Sequence, residues 1–205
     1  MEFKKIQLNG FKSFAEKTNF LIEDGLTGIV GPNGCGKSNI VESIRWVMGE
    51  TSAKSMRGSG MEDVIFSGTS NKSSKNIAEV SIDVENNNKE GPVQYRELKQ
   101  IQVRRKIEKD KGSKFYINDK EVRARDAQMF FADLSTGAHS PSMISQGRIG
   151  ALVTAKPTDR RTILEEAAGI SGLHVRRHEA ELRLGAAENN LKRADELRRQ
   201  QEKQL

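Results

Sequence analysis

Cysteine and long apolar runs are both scarce in this sequence. Cys35 is the single cysteine, which excludes a disulfide framework or a cysteine-rich metal site within one chain. A reducing cytoplasm is the expected compartment. No apolar run approaches the roughly 20 residues needed to cross a bilayer. The start, Met1 to Ile6, lacks the apolar core of a signal peptide. We therefore expect no contact with a membrane.

Length and charge set broad limits on the class of protein. The chain has 205 residues, of which 35% are hydrophobic and 30% charged, enough for one domain with a core plus an appendage. The net charge of +6 favours acidic partners, nucleic acid among them. A nucleotide site alone also requires positive charge, so both interpretations remain open.

The most informative stretch is Gly31–Asn39, which reads GPNGCGKSN and fits the phosphate-binding loop pattern G-x-x-x-x-G-K-[ST]. The apolar run Leu26–Val30 precedes it and predicts a buried strand. In Ile40–Met48, which follows, Val41, Ile44 and Met48 share one face at helical spacing. Strand, glycine loop and helix together are the context that this motif requires.

The chemistry of the loop follows from its backbone. Glycines let successive N–H groups point inward at an anion, and the following helix adds the positive end of its dipole. Lys37 is expected to reach the β- and γ-phosphates of a nucleotide, and Ser38 to bind Mg²⁺ through its hydroxyl. The residues expected to surround the phosphates are Pro32, Asn33, Gly34, Cys35, Gly36, Lys37, Ser38 and Asn39.

The remaining pattern predicts an α/β fold with an antiparallel lobe. Alternation and turn signals predict strands at 3–8, 18–22, 77–84, 98–107, 114–117 and 121–122, and a helix at 124–131. Together with the strand before the phosphate loop, they predict a mixed sheet around the loop helix.

The C-terminal part of the chain is predicted to be helical from about Pro157, with a break near Gly169 and Gly172. Beyond the break, apolar residues recur in steps of four and three, as in a coiled-coil seam. An ordinary amphipathic surface helix remains the alternative. The seam residues are Ala180, Leu184, Ala187, Leu191 and Ala194.

Several stretches together resemble the N-terminal half of the ATPase head of SMC (structural maintenance of chromosomes) proteins of the bacterial chromosome-partition type. Besides the phosphate loop they are 10–14 (GFKSF), 56–58 (MRG), 61–66 (MEDVIF), 116–118 (YIN), 144–149 (ISQGRI), 160–161 (RR) and 164–170 (LEEAAGI). The resemblance covers essentially the whole chain. It implies an ABC-type P-loop half-domain over residues 1–170, followed by the start of a coiled-coil arm over 171–205.

The resemblance also implies roles for residues outside the loop. Gln146 matches the glutamine that helps to bind Mg²⁺ and senses the γ-phosphate, and Arg57 matches the arginine that approaches the nucleotide phosphates. A guanidinium there neutralises developing charge and so supports catalysis. Lys12 and Ser13 match residues near the nucleotide. ATP and Mg²⁺ are thus the implied cofactors.

Two elements needed for ATP hydrolysis are missing from the sequence. No run of four apolar residues is followed by Asp-Glu, and no Leu-Ser-Gly-Gly-like signature is present. In SMC proteins both lie in a C-terminal segment that folds onto the N-terminal half. The resemblance therefore implies an ATP-binding half-head, with no complete catalytic set and little turnover alone.

The implied function is chromosome condensation and segregation through ATP-dependent head dimerisation on DNA, at the nucleoid in the cytoplasm. The implied partners are the C-terminal half of the same head, a second head in a homodimer, double-stranded DNA and an accessory kleisin-type subunit. A RecF- or RecN-like DNA-repair ATPase and a small-molecule P-loop kinase are the alternatives. Basic residues that are candidates for DNA phosphate contact are Arg104, Arg105, Lys106, Lys114, Arg123 and Arg125.

Overall fold

The structure is a computed structural model that describes residues 1–89, 92–134, 143–144, 148–168 and 171–202. The strands in these ranges are β1 (Glu2–Asn9), β2 (Thr18–Leu21), β3 (Ile77–Glu85), β4 (Gln100–Glu108), β5 (Gly112–Ile117) and β6 (Lys120–Val122). The α-helices are α1 (Lys37–Val47), α2 (Ala124–Asp133), α3 (Arg148–Thr154), α4 (Pro157–Ala167) and α5 (Ser171–Glu202). The chain divides into two compact units, Met1–Gly169 and Ile170–Leu205.

The six strands form one sheet in the order β2-β1-β3-β4-β5-β6, and every described ladder is antiparallel. All six strands predicted from alternation and turn signals are present, and the antiparallel lobe is confirmed. The reason is visible in β3, where Ala78, Val80, Ile82 and Val84 are buried as period-2 patterning requires.

The helices α1 and α2 cover one face of the sheet. Helix α1 packs across β3 and β4, and α2 packs against β5. Both helices are predicted from the sequence, whereas α3 has no counterpart among the predicted elements. The largest fully buried apolar side chains of the resulting core are Trp46, Phe11, Phe130, Phe131, Leu8, Met48, Met56, Ile82, Ile101, Ile107 and Ile117.

The buried face of α1 differs in part from the predicted one. Met48 is buried, just after the helix, but Val41 and Ile44 are only half-buried. The helix instead turns Ile40 and Trp46 into the core. Trp46 is the largest side chain on α1, and its ring packs 5.4 Å from that of Phe11. Burying this indole outweighs the smaller gain from Val41 and Ile44.

The strand predicted at Leu26–Val30 is wrong. These residues are in no strand, and Leu26 and Val30 are 100% and 93% exposed. A strand buried on both faces needs neighbours for its backbone N–H and C=O groups. Among the described residues none pairs with this segment. The expected parallel component of the sheet is therefore missing from the described part of the chain.

The basic run on β4 is divided between the two faces of the sheet. Arg104 and Lys106 are half-buried on one face, whereas Arg105 is 3% exposed on the face that packs against α1. Arg105 is therefore no candidate for DNA contact. The alternation of side chains along a strand explains why three consecutive basic residues cannot form one basic surface.

Arg105 fastens the C-terminal end of α1 to the sheet. Its guanidinium lies between the rings of Trp46 and Phe115, at 4.5 and 4.7 Å from their centroids. Its Nη1 donates to the carbonyls of Trp46 and Glu50 at 2.8 and 2.7 Å. Burial lowers the pKa of Arg105 to about 10, so the group stays charged at neutral pH. A cation at a helix C-terminus also interacts favourably with the helix dipole.

Helix α5 lies in the second unit and carries the predicted seam. Leu184 and Leu191 are 63% and 69% exposed, and Arg177 and Glu181 form an ion pair of 2.8 Å one turn apart. The predicted break is confirmed to the extent that α4 ends at Ala167 and α5 begins at Ser171. Within the described ranges, no helix combines the length and apolarity needed to span a membrane.

We expect Arg105→Ala to lower the free energy of unfolding by about 3 kcal/mol, because it removes a buried guanidinium that donates to two carbonyls and packs against two aromatic rings. Trp46, the only tryptophan, reports the transition by fluorescence in a urea titration. Lys106→Ala on the opposite sheet face is the matched control, with a change of about 0.5 kcal/mol or less. Equal losses in the two variants would contradict an anchoring role for Arg105.

Candidate nucleotide-binding site

The predicted phosphate loop leads directly into α1. Gly34 and Gly36 have φ angles of 85° and 89°, which L side chains rarely adopt. Gly36 is the N-cap residue, and the helix begins at Lys37. In the described part of the chain, the backbone N–H groups of residues 34–38 donate to no backbone carbonyl. The loop therefore presents a row of donors at the positive end of a helix dipole.

Gly36 is also required by a close approach. A Cβ at this position would overlap the Oγ of Ser13 and lie 3.4 Å from the ring of Phe14. The turn that carries Ser13 is held in place by hydrogen bonds from Phe14 N to Phe11 O and from Lys12 N to Val64 O, both 2.7 Å. This packing brings Ser13 against the phosphate loop, and its predicted place near the nucleotide stays a prediction.

Lys37 and Ser38 occupy the first turn of α1. The Lys37 ammonium donates to the carbonyls of Gly31 and Pro32 at 2.5 and 2.6 Å. The side chain therefore lies against the phosphate loop. Ser38 is exposed and lines a pocket of about 300 Å³ together with Glu42, Arg57 and Ile144. Pro32, Asn33 and Cys35 are exposed on the same loop.

The structure joins Lys12, Ser13, Asn39 and Arg57 in one hydrogen-bond network. Asn39 donates from Nδ2 to Ser13 Oγ at 2.9 Å and accepts at Oδ1 from Arg57 Nη2 at 3.1 Å. Glu42 completes the network, because its two carboxylate oxygens pair with Lys12 Nζ and Arg57 Nε. Three segments far apart in the sequence thus meet beside the loop.

Glu42 is a site residue that the sequence analysis missed. It is 8% exposed and lies one turn after Ser38 on α1. The sequence contains one indication of this role, since Glu42 follows Ser38 by four residues and residues four apart share one face of a helix. A lone acidic residue on a helix is more often solvated, so the signal acquires meaning only once Lys12 and Arg57 are seen opposite it.

Asp63 was missed as well, and it shapes the loop that carries Arg57. Its Oδ2 accepts from Ser59 N at 2.6 Å, Ser59 Oγ at 2.8 Å and Gly60 N at 2.9 Å. The Gly60 and Ser59 N–H groups and the Ser59 hydroxyl hold the pKa of Asp63 below its usual value. Arg57 itself has a φ of 55°, a left-handed conformation that costs free energy in a residue other than glycine.

Gln146 lies outside the described residues, so its predicted role in binding Mg²⁺ and the γ-phosphate stays a prediction. Ile144, two residues earlier, lines the pocket beside Ser38.

The residues present fit a nucleoside triphosphate with Mg²⁺. The free loop N–H groups, Lys37 and Arg57 supply donors and positive charge for phosphates. Mg²⁺ takes oxygen ligands, largely from phosphates and water, and needs few protein side chains. The exposed hydroxyl of Ser38 suits this mode of binding. Within the described ranges, no group of three or more His, Cys, Asp or Glu residues forms a metal cage.

Comparison with known proteins identifies the family. Residues 2–148 match the model of the RecF/RecN/SMC N-terminal domain. The chain belongs to this family. It is 55% identical over 197 residues to the chromosome partition protein Smc of Cereibacter sphaeroides and 53% identical over 197 residues to that of Rhodopseudomonas palustris. Each match covers 96% of the chain but only 17% of the relative. The family resemblance predicted from the sequence motifs is therefore confirmed.

Solved structures of SMC heads support the same assignment. An Smc head bound to the C-winged helix domain of ScpA superposes with a TM-score of 0.77 and 30% identity, over 83% of this chain and 52% of that one. An Smc head of Pyrococcus furiosus with an extended coiled coil, bound to the C-terminal domain of ScpA, gives 0.75 and 31% identity, over 95% and 48% of the two chains. The α/β fold class with a P-loop and a C-terminal helix is confirmed.

The Asp63 contacts make the stability of the loop depend on pH. A carboxylate whose pKa is lowered in the folded state contributes stability that is present at neutral pH and lost as the pH falls through that lowered value. We expect wild type to melt at a higher temperature than Asp63→Asn at about pH 7, and the difference to vanish under strong acid. Thermal unfolding measured across this pH series is the test. A difference that stays constant with pH would contradict the role of the charge.

Proposed function

We propose that this chain is the ATP-binding half of an SMC ATPase head. The observation that carries the proposal is the phosphate loop at the start of α1 with Lys12, Ser13, Asn39 and Arg57 gathered beside it. Lys37 would exchange the carbonyls of Gly31 and Pro32 for phosphate oxygens. Ser38, with Gln146, would hold Mg²⁺, which neutralises phosphate charge when bound.

The chain is proposed to need two further segments for hydrolysis. The sequence has no apolar strand that ends in Asp-Glu and no signature motif, so a water-positioning carboxylate must come from elsewhere. The exposed apolar side chains of Leu26, Ile29 and Val30 support a covering segment beside the phosphate loop. We assign this place to the C-terminal half of the same head, and the signature to a second head in a homodimer.

DNA and a kleisin-type subunit are the other proposed partners. The net charge of +6 and the exposed cations Lys114, Arg123 and Arg125 support sequence-independent contact with duplex phosphates, which weakens steeply with salt. The similar Smc heads bound to ScpA domains support an accessory subunit. The proposed role is chromosome condensation and segregation at the nucleoid, in the cytoplasm.

Lys37→Ala is expected to reduce affinity for ATP by more than about 100-fold, because the ammonium is the loop's only charged phosphate ligand. Isothermal titration with Mg²⁺ and ATP measures the loss. Lys37 is only partly buried, so the melting temperature should stay close to that of wild type. Unchanged ATP affinity would contradict the proposed phosphate site.

Turnover provides a second and separate test. The 205-residue chain should bind ATP yet release phosphate negligibly, and release should appear on addition of a C-terminal head segment with its own Asp-Glu and signature motifs. A release assay with and without that segment distinguishes the proposal from a small-molecule kinase. Rapid hydrolysis or phosphoryl transfer by the chain alone would overturn the half-site interpretation.

A further inference from the structure

We propose that Glu42 is a positioning residue that orders Arg57 for phosphate binding. The inference rests on the proposed function of Arg57 as a phosphate ligand and extends it to a residue outside the phosphate-loop motif. Glu42 touches no nucleotide in this proposal. It acts through the guanidinium that it holds.

The contacts on Arg57 divide its planar guanidinium into an occupied and an open edge. Nε pairs with Glu42 Oε1, and Nη2 donates to Asn39 Oδ1 at 3.1 Å. Nε and Nη2 lie along one edge of the guanidinium. The end formed by Nη1 and Nη2 makes no other hydrogen bond within the described residues. Glu42 and Asn39 of α1 therefore occupy one edge of the guanidinium and leave the other edge open for an anion.

The open end of Arg57 lies where a phosphate is expected. The Arg57 side chain is 59% exposed and lines the same pocket as Ser38, the predicted Mg²⁺ ligand. Asn39, which holds Nη2, also reaches Ser13 at 2.9 Å. Ser13 in turn packs against Gly36 of the phosphate loop. A continuous series of contacts thereby links the Arg57 guanidinium to the phosphate loop.

Lys12 holds the carboxylate of Glu42, which in turn holds Arg57. Its ammonium pairs with Glu42 Oε2 and donates to the carbonyl of Met56, the residue before Arg57. The Lys12 and Glu42 side chains are only 13% and 11% exposed, so solvent screens this pair less than a surface ion pair. Lys12 thus ties Glu42 to the backbone of the Arg57 loop.

The physical benefit is pre-organisation. A free arginine loses rotamer freedom when it binds a phosphate, whereas one that is already ordered avoids much of that loss. For one immobilised side chain the difference corresponds to roughly three- to tenfold in affinity. Glu42 also partly cancels the positive charge that attracts the nucleotide. A test must therefore change its reach and keep its charge.

Glu42→Asp meets this condition, since it retracts the carboxylate by one methylene group. We expect ATP affinity in isothermal titration to fall by about fivefold. In the Arg57→Ala background the same change should have an effect of less than about twofold, because the guanidinium that Glu42 positions is absent. Glu188→Asp, on the exposed surface of α5, is the matched control and should bind ATP as wild type does.

Each alternative outcome contradicts the proposal in a different way. Wild-type affinity in Glu42→Asp would show that Glu42 does not position Arg57. An equal loss with and without Arg57 would show that Glu42 acts only on the structure of the site. Both outcomes leave the proposed function standing as long as Lys37→Ala still lowers ATP affinity by more than about 100-fold.

A second measurement needs no nucleotide. The Nε–H resonance of Arg57, assigned by its loss in Arg57→Ala, should be protected from solvent exchange in wild type and lose this protection in Glu42→Asp. An unchanged resonance would overturn the proposal. If the chain bound no ATP at all, the proposed function would fail, and this resonance would still decide whether Glu42 holds Arg57.

Discussion

The geometry of the site depends on the contacts that the buried guanidinium of Arg105 makes. Removing a cation from water costs free energy unless hydrogen bonds and other favourable contacts replace its hydration. Here two carbonyls near the end of α1, the Ser113 hydroxyl and two aromatic faces replace it. These partners come from α1, the turn after it and β5, and Arg105 itself lies on β4. The contact therefore fixes the C-terminal end of α1 against β4 and β5. It leaves the N-terminal end to carry the phosphate loop.

The N-terminal part of α1 contacts polar and charged side chains from other segments of the chain. Asn39 and Glu42 contact Ser13, Lys12 and Arg57, and Ser38 lines the same pocket as Arg57. The two cations come from turns before α1 and after it, each in a left-handed conformation, with φ of 46° at Lys12 and 55° at Arg57. Such strain persists when surrounding contacts determine the conformation. Glu42 supplies one of those contacts to each cation.

Local patterns were sufficient to predict most of the fold and the phosphate loop. Alternation along β3 and β4 and the glycine spacing before α1 are short-range signals, and each specifies its own element. Arg105, Glu42 and Leu26–Val30 show where this reasoning ends. A run of basic residues does not show which of them faces a helix. A single carboxylate in the sequence likewise does not show which cations lie close to it in the fold. The apolar run had the composition of a buried strand, but a strand also needs neighbours, which only the tertiary structure can show.

In the proposed function, the site separates the binding of phosphate from the chemistry performed on it. The donors that would bind an anion are backbone N–H groups and cations, and they lie on one helix and the turns packed against it. The residue that would position an attacking water has no candidate in the sequence, because no apolar strand ends in Asp-Glu. A half-site of this kind would gain affinity from local order, to which the contacts of Glu42 and Asp63 contribute. In the proposed function, the rate of hydrolysis would depend on a carboxylate brought by another segment, so binding and turnover would be controlled independently.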